Sequence, residues 1–292
     1  MASEQQVREY WERNPLLAHE VTTNDPTQRW RYLDHIKRAD VEPFAMHYWK
    51  FEHVAGKRLL DLGCGPGWLS VMYARGGARV TAVDITSQAL TLTKAALDVN
   101  GLSANLRQAS AESLPLPDQS FDVVVSSGVL HHTPNPNRAF SEAHRVARRG
   151  ALGLITLYRI GILHHPLVFP VVRFVMRVSG ARHPGADLGR ESTSVADFIR
   201  RYDGAENPVG IAKKESEWAN DLRGAGWEVV SVERHYFPSR MVPPLRHAPR
   251  WVRRIFDKYF ATMVYFTLRR SDATDCQEAI VSDDVSRGQQ LI

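Results

Sequence analysis

Asp61-Leu62-Gly63-Cys64-Gly65-Pro66-Gly67 decides the fold of this chain. A short apolar run, Arg58-Leu59-Leu60, leads into it, and the helix-compatible Trp68-Leu69-Ser70-Val71-Met72-Tyr73 follows. Strand, glycine turn and helix in that order open a doubly wound α/β sheet of the nucleotide-holding kind. The glycines answer a steric need: the backbone turns sharply, and a ligand presses where a Cβ would collide. A second apolar run, Arg79-Val80-Thr81-Ala82-Val83, ends on Asp84, twenty-one positions after Gly63. An acid at that strand tip can accept hydrogen bonds from both ribose hydroxyls of an adenosine.

The rest of the first half keeps the same rhythm. Asn105-Leu106-Arg107-Gln108 is a third short strand-like run, followed by Ala111-Glu112-Ser113-Leu114-Pro115. Ser120-Phe121-Asp122-Val123-Val124-Val125-Ser126-Ser127-Gly128-Val129-Leu130-His131-His132-Thr133-Pro134 holds a fourth strand and a histidine pair. Ala151-Leu152-Gly153-Leu154-Ile155-Thr156-Leu157-Tyr158 is a fifth. Helices fit between them. One spans Thr86 to Asn100, with Thr86 and Ser87 as N-cap candidates and Asn100-Gly101 as its stop; another spans Asn137 to Val146. Apolar runs alternating with helical segments predict a parallel sheet covered on both faces.

The glycine turn also narrows the ligand. Dinucleotide folds favour G-x-G-x-x-G, which brings a pyrophosphate onto a helix N-terminus. Here the spacing is G-x-G-x-G, with no glycine at the later position. The ordered set of motifs resembles the class I S-adenosylmethionine-dependent methyltransferases, in the bacterial branch similar to the ubiquinone/menaquinone-biosynthesis type.

That resemblance implies a seven-stranded, mostly parallel sheet with an N-terminal helical cap and an insertion between strands five and six. It implies S-adenosyl-L-methionine as cofactor and roles for named residues. Asp61 would face the methionine amino group, and Gly63, Gly65 and Gly67 would let the backbone approach it. Asp84 would hold the ribose and Ile85 would cover the adenine. Ser110, Ala111 and Glu112 would lie at the adenine edge, and Ser127 would complete the cofactor set from strand four. Relatives usually carry an aspartate where this chain has Ser110, a shorter and neutral acceptor. They tend to have Lys-Pro-Gly-Gly where it has Arg148-Arg149-Gly150. In similar proteins an N-terminal helix brings a Tyr-Trp pair near the sulfonium. Tyr10 is the residue expected there, since an aromatic face attracts a desolvated cation by about 1–2 kcal/mol.

Catalytic candidates are His131, His132 and Tyr158. A histidine can act as a general base near neutral pH, or the pair can simply cap the turn after strand four. Tyr158, at the tip of strand five, could position an acceptor. The sequence shows no clustered carboxylates plus histidine suited to a catalytic Mg²⁺, so no metal is expected. The expected activity is methyl transfer to a small-molecule acceptor through an oxygen, nitrogen or carbon nucleophile. A non-catalytic cofactor-binding regulator or assembly protein is the competing reading.

The 292 residues are 43% hydrophobic and 24% charged, enough for one substantial core. Five stretches are expected: a helical cap or lid (1–56), a cofactor core (57–158) and a substrate-chamber insertion (159–214). A C-terminal half of the core with a basic-aromatic segment (215–270) and a polar, poorly ordered tail (271–292) complete the set. Two cysteines, Cys64 and Cys276, suggest no disulfide framework, which fits a cytoplasmic setting. The formal charge is +5, with Arg240, Arg246, Arg250, Arg253, Arg254, Lys258, Arg269 and Arg270 concentrated late. That cluster reads as a solvated face, an anion site or a peripheral membrane contact. No nucleic-acid motif accompanies it. The most apolar stretch, Ile160 to Val178, is broken by Pro166 and Pro170 and carries His164, His165, Arg173 and Arg177, so it is not expected to span a bilayer. The acceptor could be hydrophobic or lipid-like.

Overall fold

The computed structural model describes residues 2–16, 21, 23–38, 45–178, 194–237 and 249–271. Part of the expected insertion (179–193), the basic residues Arg240 and Arg246, and nearly all of the polar tail lie outside them.

The described residues form a seven-stranded sheet in the order β3-β2-β1-β4-β5-β7-β6. Its strands are β1 (Arg58–Leu62), β2 (Arg79–Asp84), β3 (Asn105–Gln108), β4 (Phe121–Ser127), β5 (Ala147–Tyr158), β6 (Trp227–His235) and β7 (Met263–Arg270). β1 to β5 pair in parallel, and β7 runs antiparallel to both β5 and β6. The helices are α1 (Glu4–Arg13), α2 (Pro26–Ile36), α3 (Ala45–Tyr48), α4 (Trp68–Arg75), α5 (Ser87–Val99) and α6 (Pro136–Val146). They continue with α7 (Phe169–Val178), α8 (Val195–Arg200), α9 (Glu215–Gly224) and α10 (Arg250–Phe260).

Local chemistry sets these boundaries. Ser3 and Gln6 close a capping box on α1. Asp25 caps α2 with Pro26 just inside it. The Thr86 hydroxyl accepts from the Ala89 N–H at the start of α5, as its sequence predicts.

β7 lies inside the sheet, between β5 and β6, and β6 forms the edge. Its run Val264-Tyr265-Phe266-Thr267-Leu268 is buried throughout and needs a strand on each side. β6 alternates Glu228, Ser231 and Glu233 with half-exposed valines, a pattern suited to the edge.

Two apolar layers cover the sheet. One gathers Trp30, Tyr48, Trp49, Phe51, Trp68 and Tyr73 with the inner side chains of β1 and β2. The other gathers Phe140, Trp218, Trp227 and Phe266 around β4, β5 and β7. A smaller cluster of Phe169, Phe198 and Ile199 packs with Tyr158 and Tyr202 under the segment that follows β5.

Candidate functional site

β1 lies between β2 and β4, so the loops leaving their carboxyl ends diverge to opposite sides and open a crevice. Its lining comes from the glycine turn, the tip of β2, Ala109–Glu112, Ser127–Val129 and His132–Pro134. α1 and the segment after it cover the opening with Glu4, Val7, Trp11, Pro15 and Leu16.

The glycine turn is pinned to β2, since the N–H groups of Gly63 and Cys64 both donate to the Val83 carbonyl. Its three glycines serve different steric ends. A Cβ on Gly63 would stand 2.4 Å from Val129 Cγ1, and one on Gly67 would stand 2.8 Å from Thr93 Cα. Both also adopt positive φ, so packing and conformation exclude a side chain together. Only Gly65 has open space on its Cβ side, so it alone leaves room for a ligand against the backbone.

Asp61 is buried at the end of β1. Its Oδ2 accepts from the Ser70 hydroxyl at 2.6 Å, while Oδ1 is buried with no hydrogen-bond partner. Burial pushes this carboxyl up to about 7, with the Ser70 bond opposing and the Asp84 charge adding to the rise. An orphaned buried acceptor of this kind calls for a donor from outside the chain.

Asp84 is fixed by its neighbours. Oδ2 accepts from the Gly65 N–H at 3.0 Å, and Oδ1 accepts from the Thr86 N–H and hydroxyl. Burial raises its pKa, and these bonds hold part of the rise back. A carboxylate offers about four lone-pair sites, so acceptor capacity remains. Ile85, Ser110, Ala111, Glu112 and Ser127 all line the crevice. Within that group, Glu112 Oε1 accepts from the Asn135 N–H at 2.6 Å and Ser110 Oγ accepts from the Glu112 N–H at 3.2 Å.

The three catalytic candidates come together, but only one reaches the crevice. His132 lines it, with its ring edge-on to Trp11 at 5.1 Å between centroids. His131 and Tyr158 sit behind. Their rings are 3.9 Å apart, and His131 is fully buried with neither ring nitrogen partnered. Burial and the adjacent His132 hold the His131 pKa well below the usual range, so its ring is neutral.

Sequence reading missed Asp203. Its Oδ2 lies 3.1 Å from His132 Nε2 and accepts from the Tyr158 hydroxyl at 2.6 Å. His132 Nδ1 lies 2.7 Å from the Val209 carbonyl, so a hydrogen on Nδ1 is held there. The Asp203 backbone carbonyl accepts from the Tyr10 hydroxyl at 2.7 Å. Tyr10 therefore stands outside the crevice lining, buried and with its hydroxyl pushed up to about 12 by burial and the Asp203 charge. The aromatic ring of α1 that lines the crevice is instead Trp11. The spacing of Glu4, Val7 and Trp11 marks one face of α1 and could have signalled this. Nothing local marks Asp203, which lies 45 residues beyond Tyr158. Lys37 also lines the crevice.

Among the described residues no group of three or more His, Cys, Asp or Glu side chains could hold a metal ion.

Comparisons with known proteins agree with this geometry. A family model described as a methyltransferase domain matches residues 60–155. The ubiquinone biosynthesis O-methyltransferase of Azoarcus sp. (strain BH72) is 31% identical over 180 residues, covering 61% of this chain and 67% of that protein. The protein of the same name from Pseudomonas syringae pv. tomato is 36% identical over 38% of this chain, which spans 49% of the relative's length. A SAM-dependent methyltransferase structure from Methanosarcina mazei superposes with a TM-score of 0.54 at 21% identity, covering 80% of this chain and 99% of that one, a likeness of fold. A G-x-G-x-G turn, an acid at the tip of β2, this strand order and a relative of this identity over two thirds of its length all point one way: the chain belongs to the class I S-adenosylmethionine-dependent methyltransferases.

Proposed function

We propose that this chain transfers a methyl group from S-adenosylmethionine to a small-molecule acceptor held beside His132. The observation that carries the reading is Asp61, whose buried Oδ1 lacks a partner next to a turn where only Gly65 faces open space. That pair suits an ammonium and the amino-acid backbone attached to it. Asp84 suits a ribose diol, Ile85 an apolar ring face, and Ser110 with Ala111 the edge of an adenine. When bound, the cofactor supplies a methyl carbon made electrophilic by its sulfonium.

The remaining work falls to the chain. α1 covers the crevice and keeps water from it, and Trp11 offers an aromatic face to a cation. With the Nδ1 hydrogen held by Val209, Nε2 is the ring nitrogen whose lone pair can take up a proton, and the Asp203 carboxylate beside it would stabilise the imidazolium that forms. We assign this pair to taking up the proton an acceptor hydroxyl releases. Tyr158 holds the Asp203 carboxylate in place from the other side. The O-methyltransferase names of the relatives favour an oxygen nucleophile on a lipophilic ring compound.

Calorimetric titration tests the reading. The wild-type protein should bind S-adenosylmethionine and its demethylated product, and Asp84→Ala should lose both. Binding of a nicotinamide dinucleotide in their place, or unchanged affinity in Asp84→Ala, would overturn it. Incubation with methyl-labelled cofactor and cell extract then separates catalysis from simple binding, since only an enzyme moves the label.

A further inference from the structure

We propose that α7 and α10 together form a face that docks on a membrane surface bearing anionic lipids. Both helices pack against the turn Ile162–His164, which joins them into one side of the molecule. Arg159 ties that side together, its N–H donating to the Thr262 carbonyl and its guanidinium to the Ala261 carbonyl, just past α10.

This face exposes large apolar side chains in helical register. Trp251, Ile255 and Tyr259 recur every fourth residue on α10 and are 66%, 48% and 57% exposed. Val171 and Phe174 stand three residues apart on α7 and are 59% and 64% exposed, and Leu167, in the turn just before it, is 81% exposed. The inner sides of the same helices are satisfied. Phe256 and Phe260 pack on Phe237, and Phe169 packs on Phe198. Among the described residues the outer stripes are thus a second, exposed apolar surface, an arrangement uncommon on a monomer without a partner.

Charge identifies the partner. α7 and α10 contain six basic residues, Arg173, Arg177, Arg250, Arg253, Arg254 and Lys258, and one acid, Asp257. The Asp257 carboxylate is turned inward, accepting from the Phe237 N–H at 2.7 Å. Short helices with apolar and aromatic residues on one face and excess Lys and Arg lie in the plane of an anionic interface. Neither is long or apolar enough to cross it. The attachment stands independently of the methyl-transfer reading. It also has a consequence for it, because the inner side of α7 packs in the cluster that holds Tyr158 and Tyr202. A lipophilic acceptor could then pass from the bilayer to His132 without crossing water.

Co-sedimentation of the full chain with vesicles tests this, using phosphatidylcholine alone and phosphatidylcholine mixed with phosphatidylglycerol. The wild type should sediment with the mixed vesicles and far less with the neutral ones, and added salt should weaken it. The double variant Trp251→Glu/Ile255→Glu and, separately, Phe174→Glu should each reduce binding at least about tenfold, and Lys258→Glu about fivefold. Unchanged thermal melting and cofactor affinity would show that these variants fold. Failure of the wild type to bind mixed vesicles would overturn the proposal, as would equal binding by folded variants. So would a self-associating wild type, seen by sedimentation velocity, that these substitutions render monomeric without any effect on vesicles.

Discussion

At the scale of single residues, two carboxylates set the behaviour of the crevice. Asp61 holds its proton up to about neutrality, where it is roughly half-protonated, because burial lifts its carboxyl to about 7 from an ordinary value of 3.8. The folded chain therefore keeps a proton that the unfolded chain has released between those values. The stabilisation this gives is complete below about 3.8 and is lost as pH rises through about 7. Asp61→Asn should remove that dependence, which urea titrations at several pH values would reveal; equal slopes in both proteins would refute the assignment. An ammonium-bearing ligand needs the ionised form, so cofactor affinity should rise about tenfold between pH 6 and 8 and release a proton on binding. Asp203 works differently, through His132 and Tyr158. Asp203→Asn should lower kcat about 10²- to 10³-fold and leave cofactor affinity within about threefold. Matching losses in affinity and kcat would mean that Asp203 only braces the fold.

At the scale of elements, the cover over the crevice hangs on a small number of polar bonds. Glu12 accepts from the Ser87 N–H, the Ser87 hydroxyl and the Gln88 N–H, so an acid from α1 caps the N-terminus of α5. Tyr10 adds the bond to the Asp203 carbonyl. Glu12→Ala should cost about 1 kcal/mol of the α1 attachment, a typical value for a lost cap. Hydrogen exchange in the peptide covering Glu4–Arg13 should then quicken about fivefold, and cofactor affinity should fall to match. Unaltered exchange would show that apolar contacts at Val7 hold the helix unaided. The same elements show what a sequence can reveal. β2, β3 and α5 were legible because alternation, strand-tip acids and caps are written locally, in runs such as Arg79–Asp84 and Thr86–Asn100. The place of β7 was not, because it depends on two long-range ladders. Asp203 and Trp11 were missed for a related reason. Each is brought to His132 by packing between distant segments, and the Tyr-Trp pair does not itself say which ring turns inward.

For the whole molecule, the crevice couples ligand binding to global stability. Its walls come from β1, β2, β4 and α1, so a bound cofactor bridges parts that are far apart in sequence. A ligand that binds only the folded chain stabilises it by RT ln(1 + [L]/Kd), about 2.7 kcal/mol at a hundredfold excess over Kd. For a chain of this size each kcal/mol raises the melting temperature by about 2–4 °C, so a shift of about 5–10 °C is expected with S-adenosylhomocysteine. Three arms make the measurement decisive. The demethylated product should raise the transition of the wild type. Asp84→Ala should show no shift, since it removes the carboxylate proposed to accept from the ribose. Ile255→Glu should shift like the wild type, because the exposed α10 face does not line the crevice. A shift that survives in Asp84→Ala would place the adenosine elsewhere, and one lost in Ile255→Glu would mean that α10 supports the fold rather than standing free on its surface.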